Sequence, residues 1–138
     1  RKKIRIRWYN NESNYTKEIK VSSIEGRFKI IEKQLQIKNQ RDILNTQYFD
    51  SSYGYIKPSL IVRYERHYFT INSMRITFDR NISYRYLKNN NNKTITEDKE
   101  SVMEVKTPID FSEDYIHKII PQSTSRFSKY SRGLLCFI

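Results

Sequence analysis

Apolar and ionic residues alternate from the start of the chain. Over Arg1 to Tyr9, Lys3, Arg5 and Arg7 fall on one side of an extended backbone and Ile4, Ile6 and Trp8 on the other. A period of two predicts a strand. Tyr15 to Val21 repeats the pattern, with Tyr15, Lys17, Ile19 and Val21 opposing Glu18 and Lys20. The polar run from Asn10 to Asn14 joins the two into a predicted hairpin. Glu25-Gly26 predicts a further turn, and Arg27 to Ile31 a third short strand. From Ile31 to Thr46 there is no Gly or Pro, and Glu, Gln, Lys and Leu abound, which predicts a helix. Gly54 and Pro58 bracket a predicted loop.

The second half reads similarly. Leu60 to Phe69 predicts a strand with Leu60, Val62, Tyr64 and Arg66 facing away from Ile61, Arg63, Glu65 and His67. Asn72-Ser73 is a turn. Met74 to Ile82 follows as a strand, with Arg75, Thr77 and Asp79 opposing Ile76 and Phe78. Asn89 to Asn92 lies in a polar stretch reaching Glu100 and predicts a solvated loop. Ser101 to Lys106 places Glu104 and Lys106 opposite Met103 and Val105, and Thr107-Pro108 ends that strand. Ser112 caps a predicted helix, with Glu113 and Asp114 in its first turn and Pro121 as its stop. A polar stretch, Ser123 to Ser128, leads to a closing apolar run, Leu134 to Ile138. Trp8 and the apolar partners of the strands are the predicted core, and Cys136 is read as a core residue.

Composition narrows the partners. The 138 residues suit one domain. Lys and Arg number 26 against 15 acidic residues, a net charge of +11, which points to a polyanion: nucleic acid, an anionic membrane or a phosphorylated molecule. A hydrophobic content of 37% and an aromatic content of 14% exclude a disordered chain. A single cysteine excludes a disulfide framework and a cysteine zinc site, and two histidines argue against a His-only metal site. It also fits a reducing, cytoplasmic setting. No segment approaches the roughly 20 apolar residues of a membrane span. Glycine occurs only at Gly26, Gly54 and Gly133, so there is no glycine-rich phosphate loop. The chain opens without Met inside a predicted strand, which suggests a fragment of a larger protein.

Strand after strand sets ionic residues on one face: Arg5 with Arg7, Glu18 with Lys20, Arg66, Arg75 with Asp79, Glu104 with Lys106. For any single strand this is ordinary polar-out patterning. Summed, it also fits a curled sheet with a concave ionic face, where Arg and Lys hold phosphate oxygens and a carboxylate holds a hard cation. His67, His117, Arg63, Lys88, Lys93, Arg126 and Arg132 read as solvated or packing residues, and Asp79, which could serve as a metal ligand, reads better as the salt-bridge partner of an Arg on the ionic face.

In order along the chain stand Arg5-Ile-Arg7, Glu18-Ile-Lys20, Tyr64-Glu-Arg66, Arg75-Ile-Thr-Phe-Asp79, Met103-Glu104-Val-Lys106 and Phe127-Ser128-Lys129-Tyr130. Together these resemble the VTC (vacuolar transporter chaperone) polyphosphate polymerase domain, a branch of the triphosphate tunnel metalloenzymes. The resemblance runs from about Arg5 to Tyr130. It implies an α+β fold, an antiparallel β tunnel or barrel flanked by helices, in a single domain over residues 1–138 that lacks the family's N-terminal part. It implies transfer of the terminal phosphoryl group of ATP to a growing polyphosphate chain, with Mn²⁺ or Mg²⁺. On the matching motifs, Arg5, Arg7, Lys20, Lys29, Tyr64, Arg66, Arg75, Lys106 and Lys129 are implied to bind phosphates. Arg66, Arg75, Lys20 and Glu18 are implied in catalysis, and Glu104 in holding the metal.

The implied partners are ATP and polyphosphate, with no DNA. Any membrane partner would act through segments outside the chain, and the oligomeric state is left open. The same lining could serve a triphosphatase acting on triphosphate or a nucleoside triphosphate, or a nonenzymatic binder of polyphosphate or nucleic acid. Arg66→Ala and Arg75→Ala are expected to abolish activity and leave the fold intact.

Overall fold

The computed structural model describes residues 2–10, 14–32, 39–87 and 94–137. The architecture is α+β, built mostly of antiparallel sheets, and divides into two compact units, Arg1–Pro58 and Ser59–Ile138. Among the described residues the strands form three open sheets and no closed barrel.

In the first unit, β1 (Lys2–Arg7), β2 (Thr16–Ser23) and β3 (Gly26–Glu32) pair in that order. The register places Ile4, Ile19 and Ile30 in one cross-strand row on one face, with Lys2, Val21 and Phe28 beside it. Arg5 and Glu18 share the other face with Lys3, Lys20 and Lys29. Strand β3 runs on through Glu32, where a helix is expected from Ile31. Ile30 and Ile31 are β-branched and pair with Ile19 and Glu18, so sheet pairing wins over the helical composition that follows. The middle of the expected helix, 33–38, lies outside the described residues. Its end forms α1 (Gln40–Asn45), opened by a capping box between Asn39 and Asp42.

The predicted loop around Gly54 is instead a short hairpin, β4 (Tyr48–Asp50) with β5 (Gly54–Ile56). Gly54 takes the left-handed conformation its turn needs, φ +71°. Tyr15 and Ile43 are buried, and the half-buried Trp8 ring lies 6.0 Å from the Tyr15 ring.

In the second unit, β7 (Met74–Tyr86) is central and pairs with β6 (Leu60–Ile71), β8 (Ile95–Glu97) and β9 (Val102–Lys106). Asn72 and Ser73, at φ 47° and 63°, form the tight turn between β6 and β7. Strand β7 extends beyond the predicted Ile82, through a bulge, as far as Tyr86. Arg63 pairs with Ser83 but Glu65 pairs with Arg80, so β7 carries one extra residue there, and Asn81 sits at φ 51°. The bulge changes parity. Even-numbered Ile82 and Tyr84 and odd-numbered Asp79, Thr77 and Arg75 all face the same side. Strand β8 forms within the stretch expected to be loop, while Asn89–Asn92, Lys88 and Lys93 lie outside the described residues.

Helix α2 (Glu113–Ile119) starts at its Ser112 cap as expected. A further helix, α3 (Lys129–Leu135), is capped by Ser128 and packs on β6 and β7. Ile61, Met74, Ile76, Ile82 and Tyr84 are buried. Two expected core residues are not: Phe78 is 36% and Met103 46% exposed, on the sheet face turned away from α3. Cys136 is also exposed, at the cap that ends α3. No helix among the described residues is long and apolar enough to cross a membrane.

Candidate functional site

The ionic face of the first unit is built by register alone. Arg5 lies directly across from Glu18, and Lys3, Lys20 and Lys29 form the adjacent cross-strand row. Glu18 is only 4% exposed. Its carboxylate accepts from Arg5 Nε at 2.6 Å, while Lys29 Nζ stands 3.2 Å and Arg7 3.6 Å from its other oxygen. Burial alone would raise the Glu18 carboxyl. The hydrogen bond and charge of Arg5, the charge of Arg7 and the bond from Lys29 outweigh burial and hold it below the usual carboxylate range. Arg7 also donates to the Tyr9 hydroxyl at 2.9 Å. Three lysines side by side are a cost, since like charges directly opposite each other repel.

The second unit gathers its charge around Asp79, which is 1% exposed. Arg66 donates both arms of its guanidinium to the two Asp79 oxygens, at 2.6 and 2.7 Å. Lys129, from α3, reaches the same carboxylate at 2.5 Å. The Tyr64 ring stacks beneath both cations, 5.1 Å from the Arg66 guanidinium and 4.8 Å from the Lys129 ammonium. Burial pushes the Asp79 carboxyl up, but Arg66 and Lys129 override it and hold the carboxyl below its usual value. The hydrogen bond to Asp79 raises the Arg66 guanidinium further above its normal range.

The other expected residues of this unit lie on the same face but further along. Arg66, Asp79 and Val102 form one cross-strand row; Tyr68, Thr77 and Glu104 the next; Thr70, Arg75 and Lys106 the third. Rows on one face are about 7 Å apart. Arg75, Glu104 and Lys106 are exposed, and Lys106 stands 3.6 Å from Glu104. The structure therefore joins Arg5, Arg7, Lys29 and Glu18 in one cluster, with Lys20 in the neighbouring row. It joins Tyr64, Arg66 and Lys129 in another. Arg75, Lys106 and Glu104 extend the second face without touching Asp79.

Among the described residues no group of three His, Cys, Asp or Glu side chains could hold a metal ion by itself. Glu104, the expected metal ligand, is exposed, with Lys106 Nζ 3.6 Å away. Beside it in its row, the Thr77 hydroxyl is buried without a hydrogen-bond partner in the described structure. One carboxylate and one hydroxyl fit a Mg²⁺- or Mn²⁺-type ion held mainly by the oxygens of a bound ligand, which is how such hard cations are commonly bound.

Arg132, read from sequence as a solvated charge, is paired. It forks onto Asp98 at 2.9 and 2.7 Å and stands 3.1 Å from Glu100. Asp98 also accepts from the Tyr84 hydroxyl at 2.6 Å. Neither Asp98 nor Tyr84 was a candidate from the pattern. Asp98 sits in a polar stretch, and its partner lies 34 residues away, so no local signal marks it.

The model of the VTC domain family matches residues 1–138. No curated protein and no solved structure matches the chain.

Proposed function

The chain belongs to the VTC domain family, which relates it to polyphosphate polymerases, and from that premise we propose that it transfers the terminal phosphoryl group of ATP to polyphosphate. The observation that carries this reading is the row Lys3, Lys20 and Lys29 beside Arg5 and Arg7, with Glu18 as its one buried acid. A sheet face so dense in cations attracts a multiply charged anion. The aromatic ring that meets this face, Tyr9, is engaged by the Arg7 guanidinium, so the face offers phosphate contacts foremost. Each basic face carries the Arg and Lys side chains that phosphate oxygens call for.

In this reading Arg5, Arg7, Lys20 and Lys29 hold phosphates in the first unit, and Tyr64, Arg66, Arg75, Lys106 and Lys129 in the second. Glu18 orients Arg5 and Lys29; Asp79 does the same for Arg66 and Lys129. An oxygen at the end of the acceptor chain attacks the γ-phosphorus of ATP. The bond from that phosphorus to the bridging oxygen breaks, and its electron pair leaves with ADP. The acceptor oxygen is already ionised near neutral pH, so no general base is needed. In the second unit Arg66 and Arg75 stabilise the charge as it moves, and Lys20 offers the same chemistry on the face of the first; such stabilisation is most of what phosphoryl transfer asks of a protein. Glu104, with Thr77 beside it, would hold Mn²⁺ or Mg²⁺, which when bound neutralises phosphate charge.

The test incubates the intact protein with ATP and either metal, resolves the products on a gel stained for polyphosphate, and assays free phosphate in parallel. Long chains are expected, and both Arg75→Ala and Glu104→Gln should abolish them, because both side chains are exposed and support no core. Free phosphate without chains would assign a triphosphatase. Metal-independent polyphosphate binding with neither product would assign a binding module.

A further inference from the structure

The helix that brings Lys129 to the site is fixed from its far end. Helix α3 is held to the sheet by two buried carboxylates: Asp79 takes Lys129, and Asp98, whose side chain is 3% exposed, takes Arg132 three residues on. The Asp98 contact is a two-armed fork, and its second oxygen also receives the Tyr84 hydroxyl. Arg132 in turn lies over the Phe127 ring, 4.8 Å from its centre, just ahead of the helix. The next residue sets the spacing. Gly133 is so close to β6 and β7 that a Cβ there would fall 2.5 Å from Tyr84 and 2.7 Å from Leu60. At the opposite end of the helix Lys129 meets Asp79, and the Ser59 and Tyr130 hydroxyls lie 3.3 Å apart.

We infer that Asp98, through Arg132, is a positioning residue for Lys129. The fork, with the Gly133 contact as its spacer, sets where α3 lies on the sheet and so keeps the Lys129 ammonium at Asp79 and over the Tyr64 ring. Lys129 is a long flexible side chain, and one ion pair leaves it many other arrangements. A planar fork to a carboxylate that is itself held by Tyr84 leaves the helix few. The assignment rests on the proposed phosphate-binding role of Lys129 for its consequence, but the positioning can be read separately.

The experiment compares wild type, Arg132→Gln, Lys129→Gln and the double variant in the intact protein. Asp98→Asn, which keeps volume and a partner for Tyr84, serves as a second route to the same break if Arg132→Gln does not fold. The first readout is affinity for inorganic tripolyphosphate. Arg132→Gln should weaken binding roughly fivefold to tenfold when Lys129 is present, and not further when position 129 is Gln. Arg132→Lys should restore part of the loss. A purely structural role would weaken both backgrounds equally, and that result overturns the inference.

The second readout is the lysine ammonium signal of Lys129 by ¹⁵N NMR, which needs no ligand. The signal characteristic of the held ammonium should be present in wild type and lost in Arg132→Gln or Asp98→Asn. Its persistence in these variants also overturns the inference. If Lys129→Gln leaves tripolyphosphate affinity unchanged, the phosphate-binding role of Lys129 fails, and the NMR result alone decides the positioning.

Discussion

The two units meet the same problem with different means. Each places one nearly buried carboxylate among cations on a sheet face: Glu18 with Arg5, Arg7 and Lys29 in the first, Asp79 with Arg66 and Lys129 in the second. Around Glu18 all the partners come from neighbouring strands, and they remain partly in water. Around Asp79 one partner is a bidentate fork and the other arrives from a helix 50 residues later in the chain. The first cluster is a product of local register. The second adds to the Arg66–Asp79 cross-strand pair a helix docked from afar. A cluster made by register should tolerate substitution; one made by tertiary docking should not.

The sharpest way to break that comparison is to delete each carboxylate. Asp79→Ala leaves Arg66 and Lys129 half-buried with no acid between them and should cost about 3 kcal/mol. Glu18→Ala leaves better-hydrated cations and should cost about 1 kcal/mol, since exposed charges are screened. Denaturant unfolding measures both, and equal losses would erase the distinction.

Glycine separates the units next. Gly133→Ala drives a methyl into Tyr84 and Leu60 and should cost about 2 kcal/mol through overpacking. Gly54→Asn meets open space, and asparagine tolerates a left-handed backbone, so its cost should stay under about 1 kcal/mol. Thermal unfolding of the two variants gives the ranking.

Acid sharpens the comparison least but reads both units together. Arg132 draws the Asp98 carboxyl down most of all, and Glu18 and Asp79 are also held below the usual range. Groups with depressed folded values stabilise fully above their unfolded value and lose that contribution as pH falls through the folded one. Stability should therefore hold down to about pH 4 and fall below it. Asp79→Asn should flatten that acid loss more than Glu18→Gln does, in unfolding curves taken at pH 6 and pH 3.

How much of this was legible in the sequence follows from where each contact comes from. Alternation over β1 and β2 put Arg5, Arg7, Glu18 and Lys20 on their observed faces, because a strand's two faces are written in the parity of its residues. The same parity rule fails across Asn81, where one extra residue reverses it. Ser112 and its acids marked α2, but α3 went unread: its apolar residues are few, and its stability comes from Asp98, Asp79 and the Gly133 contact. Arg132 read as solvated because its partner is distant in sequence. Arg66 read as a charge removable without harm to the fold, yet its fork to Asp79 makes it structural as well, so Arg75 is the cleaner site to vary.

The most direct test of the claim that these basic faces serve a polyanionic phosphate chain is a titration with inorganic tripolyphosphate at increasing salt. Wild type would be compared with Lys20→Ala from the first unit and Arg75→Ala from the second, both exposed. Each loss of a cation should weaken binding roughly threefold to tenfold at low salt and make the affinity less steeply dependent on salt. Affinity and salt dependence unchanged in both variants would contradict the claim.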